Sequence, residues 1–207
     1  LTTAFLFVYA ANINKGEIAM NKIPVGPKLY AYPMPAFLVG ANIEDKPNFM
    51  AVAWGGIANS EPPMLSVAIR HHRYTYPGIK QNMTFSVNII SADLVKEMDY
   101  CGIASGSQVD KSAACHFKIF YGKLKTAPLI EQCPVNMECR VIHLLNLGTH
   151  TLVIGQIEET YVSEDCLSNG NPDMSKIMPV VADIPARNYH VPGDFIGKAF
   201  SIGKEIE

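Results

Sequence analysis

At 207 residues, with 48% apolar and 17% charged side chains, the chain can bury a sizeable core and sits near the upper size of one domain. Its formal charge of -2 includes no segregated basic stretch beyond Arg70-His71-His72-Arg73, which argues against a nucleic-acid partner. Five cysteines at irregular spacing, without a C-x-x-C, argue against a disulfide framework and suit reduced thiols in a cytoplasmic setting.

The first segment, Thr3 to Ala11, is apolar but lacks the basic residues that precede a secretory h-region. It is too short to cross a bilayer, so no membrane association is expected. Met20-Asn21-Lys22-Ile23-Pro24 reads like a natural start. Residues 1–19 are therefore expected to be an upstream extension or expression leader, and residues 20–207 a single domain.

From Pro35 to Ile43, Phe49 to Trp54, Met64 to Arg70 and Met83 to Ile90, short apolar or alternating runs are bounded by Pro, Gly or Asn, the pattern of strands. Asn42 to Asn48 supplies a turn, and Asn59-Ser-Glu-Pro-Pro another, which predicts a meander. A helix is expected to start near Thr75. Ala92 to Ala104 places Leu94, Val95, Met98 and Cys101 at helical spacing behind a Ser91 or Asp93 cap. Val135 to Leu147 alternates, and Asn146-Leu-Gly-Thr turns it into Thr151 to Val162, a long hairpin. Met137, Cys139 and Val141 are expected to face a barrel interior. Many strands and few helices predict a mainly β, antiparallel barrel, closed or partly closed.

Three stretches carry candidate chemistry. In Asn48 to Trp54, residues 48, 50, 52 and 54 are expected to face one way and Phe49, Ala51 and Ala53 the other. The two alanines thin one face, which would let a flat ring approach backbone groups, and which would equally relieve crowding inside a barrel. The strand ending in Arg70-His-His-Arg-Tyr-Thr75 gathers cations and a hydroxyl at a helix start, the composition of a phosphate site or of a solvated turn. Tyr100 to Lys111 runs from a helix end through a Gly/Ser loop that could close over a ligand, without phosphate-loop spacing.

Asn48-Phe-Met-Ala-Val-Ala-Trp54, Pro62-Pro63 with the strand to Arg70, the His72-to-Thr75 turn, Phe85-Ser-Val-Asn88, Cys101-Gly-x-x-Ser-Gly-x-x-x-Asp-Lys111 and Gly193 to Phe200 occur in this order. Together they resemble the flavin reductase-like family, and within it the flavoredoxin group. The resemblance implies an FMN-binding split β-barrel of Greek-key type with a few short helices, a homodimer, and FMN between subunits. It implies cofactor contacts at Asn48, Met50, Val52, Ala53, Trp54, Arg70, His72, Thr75 and Lys111, with the ring on the Asn48–Trp54 strand and the phosphate near Arg70, His72 and Thr75. Met50 stands where the family often has Thr or Ser, and it cannot donate the bond a hydroxyl would make to the ring.

The implied activity is electron transfer through FMN, from a pyridine nucleotide or protein donor to a flavin, metal complex or redox protein. The chemistry would lie on FMN, so no catalytic side chain is assigned. No G-x-G-x-x-G follows a strand, so NAD(P)H would act as a transient donor stacking on the flavin. Competing readings are a non-enzymatic FMN-binding module for storage or sensing, and a barrel without cofactor. No metal is expected, because the His and Cys residues lack finger or ribbon spacing.

Overall fold

The computed structural model describes residues 21–206. The apolar run from Thr3 and the expected leader, residues 1–19, lie outside the described residues. The chain divides into residues 1–30 and residues 31–207. In the first unit, residues 21–30 are exposed and form no helix or strand. No helix among the described residues is long and apolar enough to cross a membrane.

The second unit is built on hairpins. Strands β1 (Phe37–Ile43) and β2 (Lys46–Val52) are joined by Glu44 and Asp45, both at positive φ (50° and 63°), the backbone that a two-residue hairpin turn demands. The turn is thus narrower than the expected 42–48. Asn42 and Asn48, both buried, are drawn into the strands because each has a side-chain hydrogen-bond partner, the half-buried Tyr121 and the buried Thr75 respectively. Strands β3 (Gly55–Ser60) and β4 (Pro63–Arg70) form the next hairpin.

Helix α1 (Thr75–Asn82) leads into β5 (Thr84–Ile89). Met83, expected to open that strand, instead ends the helix at φ 53°, donating its N–H to Ile79. A single 3-10 turn over Ala92–Leu94 precedes α2 (Val95–Ile103). Ser91 flanks that turn but makes no side-chain capping bond. After the one-turn helix α3 (Lys111–Ala114), the long hairpin forms as expected from β6 (Val135–Asn146) and β7 (His150–Val162). Two short strands, β8 (Val181–Asp183) and β9 (Asn188–His190), then pair with each other.

The main sheet has seven strands in the order β2-β1-β5-β6-β7-β4-β3. The expected simple meander is therefore broken after β4. Strand β5 pairs with β1, with Val39 opposite Val87, while β4 pairs with β7, with Ile69 opposite Thr151. Helix α1 carries the chain across that gap. Strands β2 and β3 stand at opposite ends of the sheet order yet are consecutive in the chain, linked only by Ala53 and Trp54. The amide of Ala68 donates to the Trp54 carbonyl at 2.8 Å. One bent stretch thus closes the sheet on itself, giving an antiparallel barrel split at the bend.

Inside the barrel lie Val39, Met50, Val67, Phe85, Cys139 and Val153, all buried. Val141 joins them and Met137 packs against them, as the alternation predicted. A second apolar cluster lies under α2, where Leu38, Phe49, Met98, Cys101 and Ile130 meet. Each fully buried side chain of this size contributes about 1.5–3 kcal/mol. Among these apolar groups Glu138 is fully buried, and it is satisfied. Its carboxylate accepts the amides of Lys123 and Leu124 at 2.8 and 2.6 Å and the Tyr161 hydroxyl at 3.1 Å.

Candidate functional site

Strand β2 separates the two apolar clusters. Met50 and Val52 point into the barrel, whereas Phe49, Ala51 and Ala53 belong to the α2 side. The expected alternation holds to Val52, where the strand ends. Trp54, expected with the barrel-facing set, instead packs on the α2 side because the chain bends there to enter β3. Its indole lies against the His150 ring, with centroids 4.7 Å apart and planes at 37°.

The outer edge of β2 has a defined polarity. Lys111, buried at the start of α3, donates from Nζ to the Phe49 carbonyl and to the Cys101 carbonyl, both at 2.9 Å. The Phe49 carbonyl therefore points away from β1. The two-residue period of an antiparallel ladder turns the backbone groups of Ala51 the same way, and Ala53 continues the line past the strand's end. That edge borders a cleft in two lobes that share Ala51, Val52, Ala53, Arg73 and Ile184.

One lobe, about 170 Å³, adds Trp54, Arg70 and His150; the other, about 270 Å³, adds Met98, Asp99, Gly102 and Tyr189. Helix α2 approaches the edge closely. A side chain at Gly102 would begin 3.2 Å from the Ala51 Cβ, so a small residue is what keeps this wall thin. The rim is apolar and open: Ile103 is 77% exposed and Ile184 44%.

Positive charge collects at one end of the cleft. Arg70 closes β4 opposite His150, and His71, His72 and Arg73 follow in the turn to α1. Arg70, His71 and His72 are exposed. Arg73 donates to the Gly102 carbonyl at 3.0 Å, which braces α2 against the turn. Partial burial and the charges of Arg70, His71 and His72 hold the His150 imidazole below its usual pKa. Among the described residues the two ion pairs, Lys123–Glu159 and Arg140–Glu158, lie elsewhere, so no carboxylate neutralises the turn by pairing.

At the other end, Tyr189 of β9 donates to Asp99 at 2.7 Å. Burial, together with that bond to a carboxylate, pushes its phenol up to about 12.

The expected site residues thus divide. Ala53, Trp54 and Arg70 line the cleft, with Met50 and Val52 present at its floor, though their side chains serve the barrel core. His72 is exposed in the cationic turn. Thr75 is buried, its hydroxyl accepting from Asn48 Nδ2 at 2.7 Å, so this pair ties α1 to β2 from behind the turn. Lys111 lines neither lobe. Burial lowers its pKa, and its ammonium is held by the two carbonyls.

A model of the flavin reductase like domain matches residues 29–176. The chain belongs to the flavin reductase-like family. Within that family it falls in the flavoredoxin group. It is 42% identical to the flavoredoxin of Methanosarcina acetivorans, covering 90% of this chain and 99% of that one with a TM-score of 0.86. It is 39% identical to the flavoredoxin of Desulfovibrio vulgaris (Miyazaki F), over 88% of this chain and 99% of that one, with a TM-score of 0.83. An uncharacterized protein of Archaeoglobus fulgidus is 33% identical over 146 residues, 70% of this chain and 81% of that protein.

Arg73, His150, Gly102, Asp99, Tyr189 and Ile184 are cleft residues of this flavin reductase-like chain that the sequence reading did not select. Arg73 stood within the cationic run and was legible there. His150 could be found only through the pairing of β4 with β7, and Tyr189 and Ile184 had no signal in sequence.

Proposed function

We propose that this chain binds FMN with the polar edge of the ring along the outer edge of β2 at Ala51 and Ala53 and the phosphate on the Arg70–His72 turn. It would act as an electron-transferring flavoprotein. The observation that carries the reading is the coincidence, on one cleft, of an outward-facing strand edge with only methyl side chains and an unneutralised cationic turn. The residues fit the group: a flat heterocycle needs close access to backbone N–H and C=O groups, and a phosphate needs donors not already paired.

FMN, when bound, would supply the electron transfer, leaving the protein to bind, orient and shield it. Arg70 and His72 would grip the phosphate. The Asn48–Thr75 bond would hold the turn and the ring edge in register. Lys111 would fix the β2 edge by fastening Phe49, two residues before Ala51, rather than by touching the ring. Trp54 and His150 would wall the phosphate end. The apolar rim at Ile103 and Ile184 supports a second copy of the chain closing over the cleft in a homodimer.

An absorption spectrum before and after gel filtration tests the binding, with a flavin band that travels with the protein as the expected result. Protein that stays colourless and takes up no added FMN would overturn the proposal. Stopped-flow mixing with NADH, NADPH and a reduced ferredoxin then identifies a donor. Bound flavin that none of them reduces would favour the storage or sensing role. Sedimentation at micromolar concentration is expected to show a dimer, and a monomer retaining FMN would remove the second copy from the site.

A further inference from the structure

Helix α2 and the end of α3 bring two thiols of the second apolar cluster together. Cys101 lies in the last turn of α2 and is fully buried; Cys115 follows α3 and is half-buried. The Cys115 Sγ sits 3.8 Å from the Glu97 carbonyl oxygen. In an α-helix that carbonyl accepts the amide of the residue four ahead, which here is Cys101. Cys115 is therefore placed beside the backbone hydrogen bond that closes the turn carrying Cys101, and each thiol influences the titration of the other.

Lys111 completes the arrangement. Its ammonium bonds the Cys101 carbonyl at 2.9 Å, and Cys115 returns its own amide to the Lys111 carbonyl at 3.0 Å. A cation fixed at the Cys101 backbone thus belongs to the same helix turn as Cys115, and its charge acts on both thiols. Cys133, also in this cluster, is buried, and Cys139 lies in the barrel core.

We propose that Cys101 and Cys115 are a redox modification site, closing to a reversible intrachain disulfide when the protein meets a hydroperoxide. The half-buried Cys115 reacts first. Its thiolate attacks one peroxide oxygen, the O–O bond breaks, and the departing oxygen takes a proton to leave as water (or as the alcohol, for an organic hydroperoxide). Cys115 is now a sulfenic acid. The Cys101 sulfur then attacks the Cys115 sulfur, forming the S–S bond as the S–O bond breaks, and the hydroxide released takes the Cys101 proton. Two thiols have been oxidised by two electrons and the peroxide reduced by the same two.

The environment sets the rate. Burial pushes both thiols up, Cys101 to about 12, while the Lys111 charge opposes that shift in each. Since the thiolate is the nucleophile, the pair stays reduced under mild conditions and responds to sustained oxidant. Closing it staples α2, which carries the cleft wall Met98, Asp99 and Gly102, to the element bearing Lys111.

The test is thiol counting and peptide mass mapping of the native protein after exposure to hydrogen peroxide, without reductant. The expected result is loss of two of its five thiols, a peptide cross-link joining Cys101 to Cys115, and full recovery of both thiols with dithiothreitol. Cys115→Ser, at the less buried position, should retain its four thiols and form no cross-link under the same exposure. Five surviving thiols in the wild type, a cross-link through Cys133 instead, or Cys115 carried to its sulfinic acid without cross-linking would each overturn the proposal. None of these readouts depends on bound flavin, so failure here is distinct from failure of the FMN reading.

Discussion

Replacing Arg70 with alanine should separate the phosphate from the ring as sources of affinity. Arg70 suits the purpose because it ends β4 with an exposed side chain, and that side chain makes no hydrogen bond or ion pair to the protein among the described residues. Its loss should therefore cost the fold little, unlike loss of Thr75, which would strip Asn48 of its buried acceptor. A charge-assisted hydrogen bond contributes about 1.5–3 kcal/mol, and every ~1.4 kcal/mol is a factor of ten in affinity. Arg70→Ala should then weaken FMN roughly ten- to a hundredfold. Riboflavin, the same ring without the phosphate, should bind wild type and variant alike. Fluorescence titration of both ligands against both proteins measures all four constants. Parallel losses for FMN and riboflavin would mean that Arg70 shapes the cleft rather than holds the phosphate, and unchanged FMN affinity would remove it from the site.

The His150 imidazole is held below its ordinary 6.5 by burial and then by the cations around it. Between its folded pKa and 6.5 the unfolded chain binds more protons, so stability rises with pH across that window and is lost as pH falls through it. His150→Gln should flatten that dependence in urea unfolding curves, and a slope unchanged by the variant would assign it to other groups. Glu138→Ala leaves two amides and a tyrosine hydroxyl without their acceptor, and should lower unfolding free energy by about 2–5 kcal/mol; a loss below ~1 kcal/mol would mean water replaces the carboxylate. A Cβ at Gly106 would lie 2.0 Å from Asn48 Oδ1, so Gly106→Ala should displace Asn48 from Thr75 and destabilise by about 1–3 kcal/mol, read by the shift of the thermal midpoint.

Hydrophobic period made most of the barrel legible. The long hairpin of β6 and β7, the alternation of Met137, Cys139 and Val141, and the helix behind Ser91 all follow from side chains that must be buried on one face. Strand β3 escaped notice because Gly55, Gly56, Asn59 and Ser60 have weak β preference and are almost wholly exposed. It exists because β4 offers a free edge and the Trp54–Ala68 bond fixes where pairing starts. The cationic turn was readable since its residues are contiguous. Its partner His150 was not, because only strand pairing brings it to Arg70. At Lys111 the expectation was a contact with the cofactor; its acceptors in the structure are the backbone carbonyls of Phe49 and Cys101, and no side-chain pattern records where a carbonyl points. Tyr189 reaches the cleft from a small sheet whose strands are three residues or fewer, and Ile184 from the turn between two of them, too short for any periodicity.

The outward edge of β2 also bears on how this protein behaves in concentrated solution. Natural sheets protect their end strands with charge, proline, a bulge or a covering element, since an unguarded row of amides and carbonyls recruits foreign strands. From Phe49 to Trp54 there is no charged side chain and no proline. Lys111 occupies the Phe49 carbonyl, but the stretch at Ala51 and Ala53 faces the cleft. A flat ligand or a second subunit seated there would serve as the missing gatekeeper. Protein stripped of both should gain order and shed self-association together when the ligand is restored, so that its shelf life and its colour would rise and fall as one.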